Sequence, residues 1–247
     1  MTASLLTRTL DASHLNRVAN HPDVRPWLLG EGPVDLAELT ADLGNYSLVT
    51  SGGGFFVHRL TPGEYEVHSM FLPDARDRTV QAMREGMAYM FTRTDCLRLV
   101  TRVPDDNTSA ANLASAGGFR TLFRRERCWN GVGAAYMAVT LDDWAMNAAD
   151  LEAHGEWFHD QLEAAKASHG SGLATHDHDP AHERAVGAAV LMLRAGNTAK
   201  GVGFYNRWAV LAGYQPIAIL NENPVVLDVG DAVVELRGDD MEVLLCR

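Results

Sequence analysis

The order in which the residue pattern switches between strand and helix spacing constrains this chain most. SLLTRTL (4–10) reads as a short strand. Asp11 can cap a helix running to about Asn20, and HPDVRPW then breaks it with a proline on either side. PVDLAELTADL gives a second short helix with Pro33 near its start. YSLVT, GFFVHRL and EYEVHSMF read as three strands, and the turn chemistry of SGGG and TPGE between them makes an antiparallel meander. In RDRTVQAMREGMAYMFTRT, Val80, Met83, Met87, Met90 and Phe91 recur at helical spacing. CLRLVTRV is a strand, DNTSAANLASAGG a short helix ending at glycine, and FRTLFRRERCW and AAYMAVTL two closing strands. Strand, two helices, three strands, helix, strand, helix, two strands: this order describes an α/β domain, with a mixed, mostly antiparallel sheet and helices on both faces.

The pattern changes after TLDDW, which divides the chain into residues 1–144 and 145–247. The second part is a mainly helical extension ending in short β-strands. One helix runs from about Asp150 to Ala167. A second has Asp179 as cap and Pro180 at its first position, and runs to Arg194 before Gly196. A third, GFYNRWAVLAGY, ends at Gly213. PVVLDVGDAVVELRGDDMEVLLC reads as strands separated by turns, and SHGSGLATHDHD as a mobile loop.

Several function classes are disfavoured by composition. The formal net charge is −11, which argues against a whole-protein electrostatic grip on nucleic acid. No run of 18 apolar residues exists, so no membrane-spanning helix is expected, and the N-terminus is too polar for a secretory signal. The expected location is the cytoplasm, or a particle assembled there. Cys96, Cys128 and Cys246 are far apart and odd in number, without a CxxC pair, and read as reduced thiols.

Residues 64–119 resemble the GNAT (Gcn5-related N-acetyltransferase) superfamily. One carrier of the resemblance is VPDDNTSAANLASAGGF, where Asn107, Ala110, Gly118 and Phe119 stand at the family's spacing. Asn107 can cap the helix, Ala110 allows close packing, and Gly118 ends the helix so that Phe119 starts the next strand. The other is HSMFLPDARDRTVQAMREGMAYMF, where the family's Q/R-x-x-G-x-G/A loop holds the CoA pyrophosphate on backbone N–H groups at a helix start. Arg76 matches its first position, while Thr79 and Gln81 occupy the small-residue positions, where a Cβ obstructs close approach of a phosphate. Arg76 and Arg78 can still bind an anion, although a solvated first turn of the helix accounts for them equally.

The resemblance implies a sheet splayed between its fourth and fifth strands, with acetyl-CoA as co-substrate in the splay. Pantetheine would pair with backbone near Met70, Phe71 and Leu72, and pyrophosphate would sit over residues 76–80, among them Arg76, Arg78, Thr79 and Val80. Asn107 and Ala110 complete the implied cofactor set. Active members often carry a Tyr seven residues after the Asn as general acid, and here that position is Ala114. A carboxylate on the strand before the loop often serves as base. Glu66 and His68 share one face of EYEVHSMF, and either can reach a substrate amine directly or through water, although a solvent-facing polar alternation accounts for them equally.

The N-terminal part, about 60% of the chain (residues 1–144 of 247), is also similar to GNAT-like proteins encoded by tailed bacteriophages, some of which are virion components. Two functions follow from the resemblance. One is N-acetyl transfer from acetyl-CoA to an amine. The other is an inactive virion structural or assembly protein with other virion proteins as partners, in the host cytoplasm or the particle. Self-association is compatible with both.

Other residue groups have plainer readings. HDHDPAH holds His176, His178 and His182, preceded by His154 and His159. The latter two are five apart, which separates them on a helix, so no metal site is assigned. Trp157, Phe158, Phe204, Tyr205, Trp208 and Tyr214 are expected in a core. Strand alternation pairs Arg125 with Arg127 on one face, and Arg120 with Arg124, as a charged sheet edge.

Overall fold

The computed structural model describes residues 5–129, 131–168, 179–238 and 241–246. The chain divides into two compact units, Met1–Phe91 with Asp95–Trp144, and Thr92–Thr94 with Ala145–Arg247.

The first unit is built on β1 (Thr7–Thr9), α1 (Ser13–Ala19), α2 (Ala37–Ala41), β2 (Tyr46–Thr50), β3 (Gly53–Thr61), β4 (Glu64–Phe71), α3 (Thr79–Arg93), β5 (Arg98–Pro104), α4 (Thr108–Ala116), β6 (Arg120–Trp129) and β7 (Val132–Thr140). The strands form one sheet in the order β1-β2-β3-β4-β5-β7-β6, antiparallel everywhere except between β4 and β5. This is the mixed, mostly antiparallel sheet expected from the element order. Alternation along β3 sends neighbouring aromatics to opposite faces. Phe56 joins Leu15, Val18, Val24, Leu36 and Met70 in the cluster beneath α1, while Phe55 meets Phe71 edge-on at 5.2 Å.

Local chemistry explains most boundaries. Asp11 Oδ1 accepts from the Ser13 amide rather than capping deeper, and α1 starts at Ser13. The loop after α1 is pinned by amides: Asn20 exchanges two bonds with the Val34 backbone, and Asn16 Oδ1 accepts from Leu36 N. Within it the Arg25 guanidinium holds the carbonyls of Leu28, Gly30 and Gly32, which shapes the segment carrying Asp23, Trp27 and Leu28. In α3, Met83, Met87, Met90 and Phe91 are buried as the spacing predicts, whereas Val80 is 38% exposed.

The edge strand β6 departs from simple alternation. Arg120 faces Ala138, but a bulge between Thr121 and Phe123 puts Arg124 opposite Ala135. Since Ala138 and Ala135 lie on opposite faces, so do Arg120 and Arg124, contrary to the expected pairing. A second irregularity follows Arg125, and Arg127 takes φ 51°, so the expected Arg125–Arg127 face is broken too. Arg120 instead pairs with Asp143 at 3.0 Å, and Arg124 with Asp105.

A short helix that the sequence pattern does not announce, α5 (Leu141–Asn147), begins where the Thr140 hydroxyl accepts from the Asp143 amide and donates to the Asp143 carboxylate. The second unit contains α6 (Asp150–Ser168), α7 (Pro180–Arg194), α8 (Thr198–Ala212) and a four-stranded antiparallel meander of β8 (Ala218–Glu222), β9 (Val225–Asp228), β10 (Val233–Arg237) and β11 (Glu242–Leu245). Asp179 caps α7 through the Ala181 amide, and Gly213 ends α8 in the left-handed region at φ 84°. β8 is mostly exposed, so it carries no hydrophobic alternation that would reveal it in sequence. Most of SHGSGLATHDHD, including His176, Asp177 and His178, lies outside the described residues. No described helix is long and apolar enough to cross a membrane.

Two glycines set how closely α6 and α7 approach. A Cβ on Gly187 would lie 1.9 Å from Leu151 O, and one on Gly155 would lie 2.1 Å from Glu183 O. Gly203 on α8 faces nothing within 4 Å. Gly187→Ala is therefore expected to destabilise by about 1–3 kcal/mol despite alanine's helix preference, because backbone cannot yield as a side chain does. Gly203→Ala should stabilise by roughly 0.5–1 kcal/mol. Urea unfolding midpoints of the two variants check both signs.

Candidate functional site

β4 and β5 pair over Glu64↔Arg98, Tyr65↔Leu99 and Glu66↔Val100, and then part, although β4 continues to Phe71 and β5 to Pro104. β5 keeps its other neighbour, β7, along its whole length. At the point of parting, Thr101 Oγ1 donates to Val67 O at 3.0 Å, taking a carbonyl that a strand partner would otherwise have taken. The gap opens into a cleft of about 640 Å³.

Backbone alternation says which groups of β4 face the gap. Because Val67 O points at β5, the N–H and C=O groups of Ser69 and Phe71 do so as well, while those of His68 and Met70 turn to β3. The Leu72 amide donates to Gly52 O at 2.9 Å. Beyond the Thr101–Val67 bond, Ser69 and Phe71 thus turn their backbone edge to the cleft wall. The cleft reaches both faces of the sheet. On the α3 side its wall is apolar, with Phe55, Met83, Met87 and Leu99. On the α1 side it meets Val24, Trp27, His68, Arg102 and Trp129.

At the mouth, a 3-10 turn over Pro73–Arg78 runs directly into α3. The Thr79 amide bonds to Arg76 O and the Thr79 hydroxyl donates to the same oxygen at 2.9 Å, so this amide does not point outward. Gln81 turns away toward Glu85, at 3.3 Å. Arg76, Thr79 and Val80 line the cleft without filling it, and Arg78 is exposed outside the lining. At the far wall Asn107 Oδ1 accepts from the Ala110 amide at 3.0 Å and caps α4. Gly118, at φ 76°, reverses the chain so that the Phe119 amide reaches Ala114 O. Asn107, Ala110 and Ala114 line the cleft, and no tyrosine is in its lining among the described residues.

The sequence candidates for proton transfer occupy different settings. Glu66 is 7% exposed, outside the cleft lining, and held by Arg102 through Nε at 2.5 Å and Nη2 at 3.0 Å. Burial would pull Arg102 down, but the bond and charge of Glu66 hold its guanidinium above the usual value. His68 lines the cleft, stacks on Phe56 at 6.4 Å and sits 3.8 Å from Glu66 Oε2. Burial lowers its pKa below the ordinary histidine value. Glu66 opposes that shift, and Arg102 and His58 reinforce it, so the imidazole is neutral at pH 7. Met70 is buried beneath α1, with Leu72 packed against the same cluster.

The sequence reading treated Arg102, Thr101 and Trp129 only as strand residues. Arg102 is in phase with Glu66, but that becomes visible only once β4 and β5 are neighbours. Trp129 is buried, its Nε1 has no hydrogen-bond partner among the described residues, and its ring lies 5.6 Å from the Arg102 guanidinium carbon.

No protein-family model matches the chain, and no curated protein does. Solved structures similar to it include acetyltransferases. In particular, a spermidine N-acetyltransferase from Vibrio cholerae, in complex with CoA and spermine, is 14% identical with a TM-score of 0.49, covering 57% of this chain and 99% of its own. The ribosomal-protein-S5-alanine acetyltransferase from Vibrio fischeri is 15% identical with a TM-score of 0.46, covering 58% and 97%. Mycobacterium smegmatis RimJ, in complex with CoA-disulfide, is 17% identical with a TM-score of 0.45, covering 55% and 80%.

Removing Arg102 would strand the Glu66 carboxylate. Arg102→Met is expected to cost about 2–3 kcal/mol, less than for a fully buried pair because Arg102 keeps some solvent contact. Glu66→Gln in the same chain should restore most of that, and a double-mutant cycle in urea measures the coupling.

Proposed function

We propose that the cleft binds acetyl-CoA and that the chain transfers its acetyl group to an amine, in the manner of a GNAT N-acetyltransferase. The observation that carries this is the parted strand pair: an open, unplugged cavity walled, beyond the Thr101–Val67 bond, by the backbone edge of Ser69 and Phe71. Pantetheine is an extended chain with amides, and it can pair with that edge as an added strand. Of the sequence candidates, Phe71 supplies backbone for pantetheine to pair with, and Met70 and Leu72 support the strand from the packed side. Arg76 and Arg78 supply positive charge for the phosphates. Thr79 and Val80 form the rim, and Asn107 and Ala110 build the opposite wall.

His68 is the base in this reading, because it is neutral and lines the cleft. It takes the proton as the amine nitrogen bonds to the thioester carbonyl carbon. The carbon–sulfur bond then breaks, and water protonates the departing thiolate, since Ala114 stands where a phenol would otherwise act. Glu66 acts through Arg102 and the nearby imidazole rather than as the base. Positioning carries most of the rate.

A second reading is a phage virion structural or assembly protein that keeps the fold without the chemistry. The inward-bonded Thr79 amide and the absence of a tyrosine at the cleft favour it.

Calorimetry with acetyl-CoA separates the two. The enzyme reading expects saturable heat that weakens about tenfold in Arg76→Ala, and no heat at millimolar ligand supports the structural reading. If the chain is active, His68→Ala should lower kcat/KM on an accepted amine by about 100-fold. Burial holds the folded His68 pKa below the ordinary value of 6.5. The rate should therefore fall with acid at a lower pH than an ordinary histidine would set. Stability moves the same way: in the unfolded chain the imidazole protonates near 6.5 while the folded one does not, so the His68 contribution is complete above 6.5 and declines as pH falls below it.

A further inference from the structure

We propose that His159, His182 and Glu183 form a site for a divalent transition-metal ion in the second unit. One nitrogen of each imidazole and one carboxylate oxygen lie within 4.8 Å of one another. Their spacing in sequence hid this. His159 does not pair with His154 on its own helix. It meets two consecutive residues of α7 across a helix crossing, so no same-helix repeat announces the group.

The crossing makes the site. Without side chains at Gly155 and Gly187, α6 and α7 approach until a Glu183 carboxylate oxygen comes within 2.7 Å of where a Gly155 Cβ would stand. Glu183 is left 1% exposed, with His159 Nδ1 at 2.9 Å and 3.1 Å from its two oxygens. A histidine–carboxylate pair alone would account for these two residues. It would not account for the second imidazole, whose ring centroid is 5.2 Å from that of His159.

The surroundings of His182 are those of an oriented ligand. Its ring is stacked on Tyr214 at 4.2 Å and on Trp208 at 5.5 Å, and its Nε2 lies 3.2 Å from the Tyr205 hydroxyl. Tyr214 is itself tied to Asp179 at 2.8 Å. A bond from the remote ring nitrogen, with two neighbouring aromatic rings packed against the imidazole, sets the direction of a ligating histidine.

The donor set decides the class of ion. Two imidazoles and one carboxylate suit Zn²⁺, Fe²⁺, Co²⁺ or Ni²⁺, whereas Ca²⁺ and Mg²⁺ take oxygen ligands. Metal–ligand bonds of about 2.1 Å put the donors of a tetrahedral site about 3.4 Å apart, so the three side chains close on the ion by roughly an ångström. Three protein ligands leave at least one position for water or another donor.

The test uses the full chain, stripped with chelator, with Co²⁺ as the probe. One Co²⁺ per chain is expected, with visible absorption bands of a four- or five-coordinate ion that Zn²⁺ displaces. His182→Asn and His159→Asn should each weaken binding by about 100-fold, while His154→Asn should leave it unchanged. Should a ligand variant fail to fold by circular dichroism, Tyr205→Phe keeps every ligand and is expected to weaken binding about tenfold. Absence of the bands at millimolar Co²⁺ would overturn the proposal, as would bands of equal affinity in folded His182→Asn.

Discussion

A β-strand that loses its neighbour halfway along must find other partners for its amides and carbonyls, and the first unit is organised around that requirement. β4 is held by β3 along its whole length but by β5 only over its first residues. Thr101 settles the carbonyl at the fork, and the groups beyond it face a cavity rather than a strand. An unpaired edge in a walled cleft is a place where an extended, amide-bearing ligand binds without competing for existing bonds. The gap persists because each side is secured from outside, β4 by β3 and β5 by β7.

Charge follows from the same opening. Where the strands are still joined, Glu66 is buried and Arg102 reaches it from β5 with two hydrogen bonds. This pair sits beside the fork and helps fix the electrostatic setting of His68: burial lowers its pKa, the Arg102 and His58 charges add to that, and together they outweigh the Glu66 carboxylate. The neutral imidazole is a property of its neighbours on β3, β4 and β5, not of the histidine alone.

The second unit uses a different device. Glycines at the α6–α7 crossing bring backbone to backbone, and a carboxylate oxygen comes close to where a methyl group would stand. Aromatic rings from α8 and the turn after it hold the neighbouring imidazole. The aromatics expected in a core divide accordingly. Phe158, Phe204 and Tyr205 are buried, whereas Trp157 lies half-buried beneath the Arg194 guanidinium, 4.1 Å from its carbon.

What was legible in the sequence was whatever a few neighbouring residues decide among themselves. Asn107 caps α4, Asp179 with Pro180 starts α7, Gly213 ends α8, and the methionine stripe of α3 turns inward, because each depends on hydrogen bonds or spacing within one or two helical turns. The order of elements was legible for the same reason. The weakly patterned β8, the bulge that reverses Arg124 and the Thr140–Asp143 cap were missed. The first two leave no hydrophobic period, and the third is a local exchange that the change in composition obscured. Only the tertiary structure decided that β4 and β5 part, that Arg102 meets Glu66, and that His159 meets His182 and Glu183. Each joins residues 23 to 36 positions apart in sequence, and which distant groups meet is set by how whole strands and helices pack.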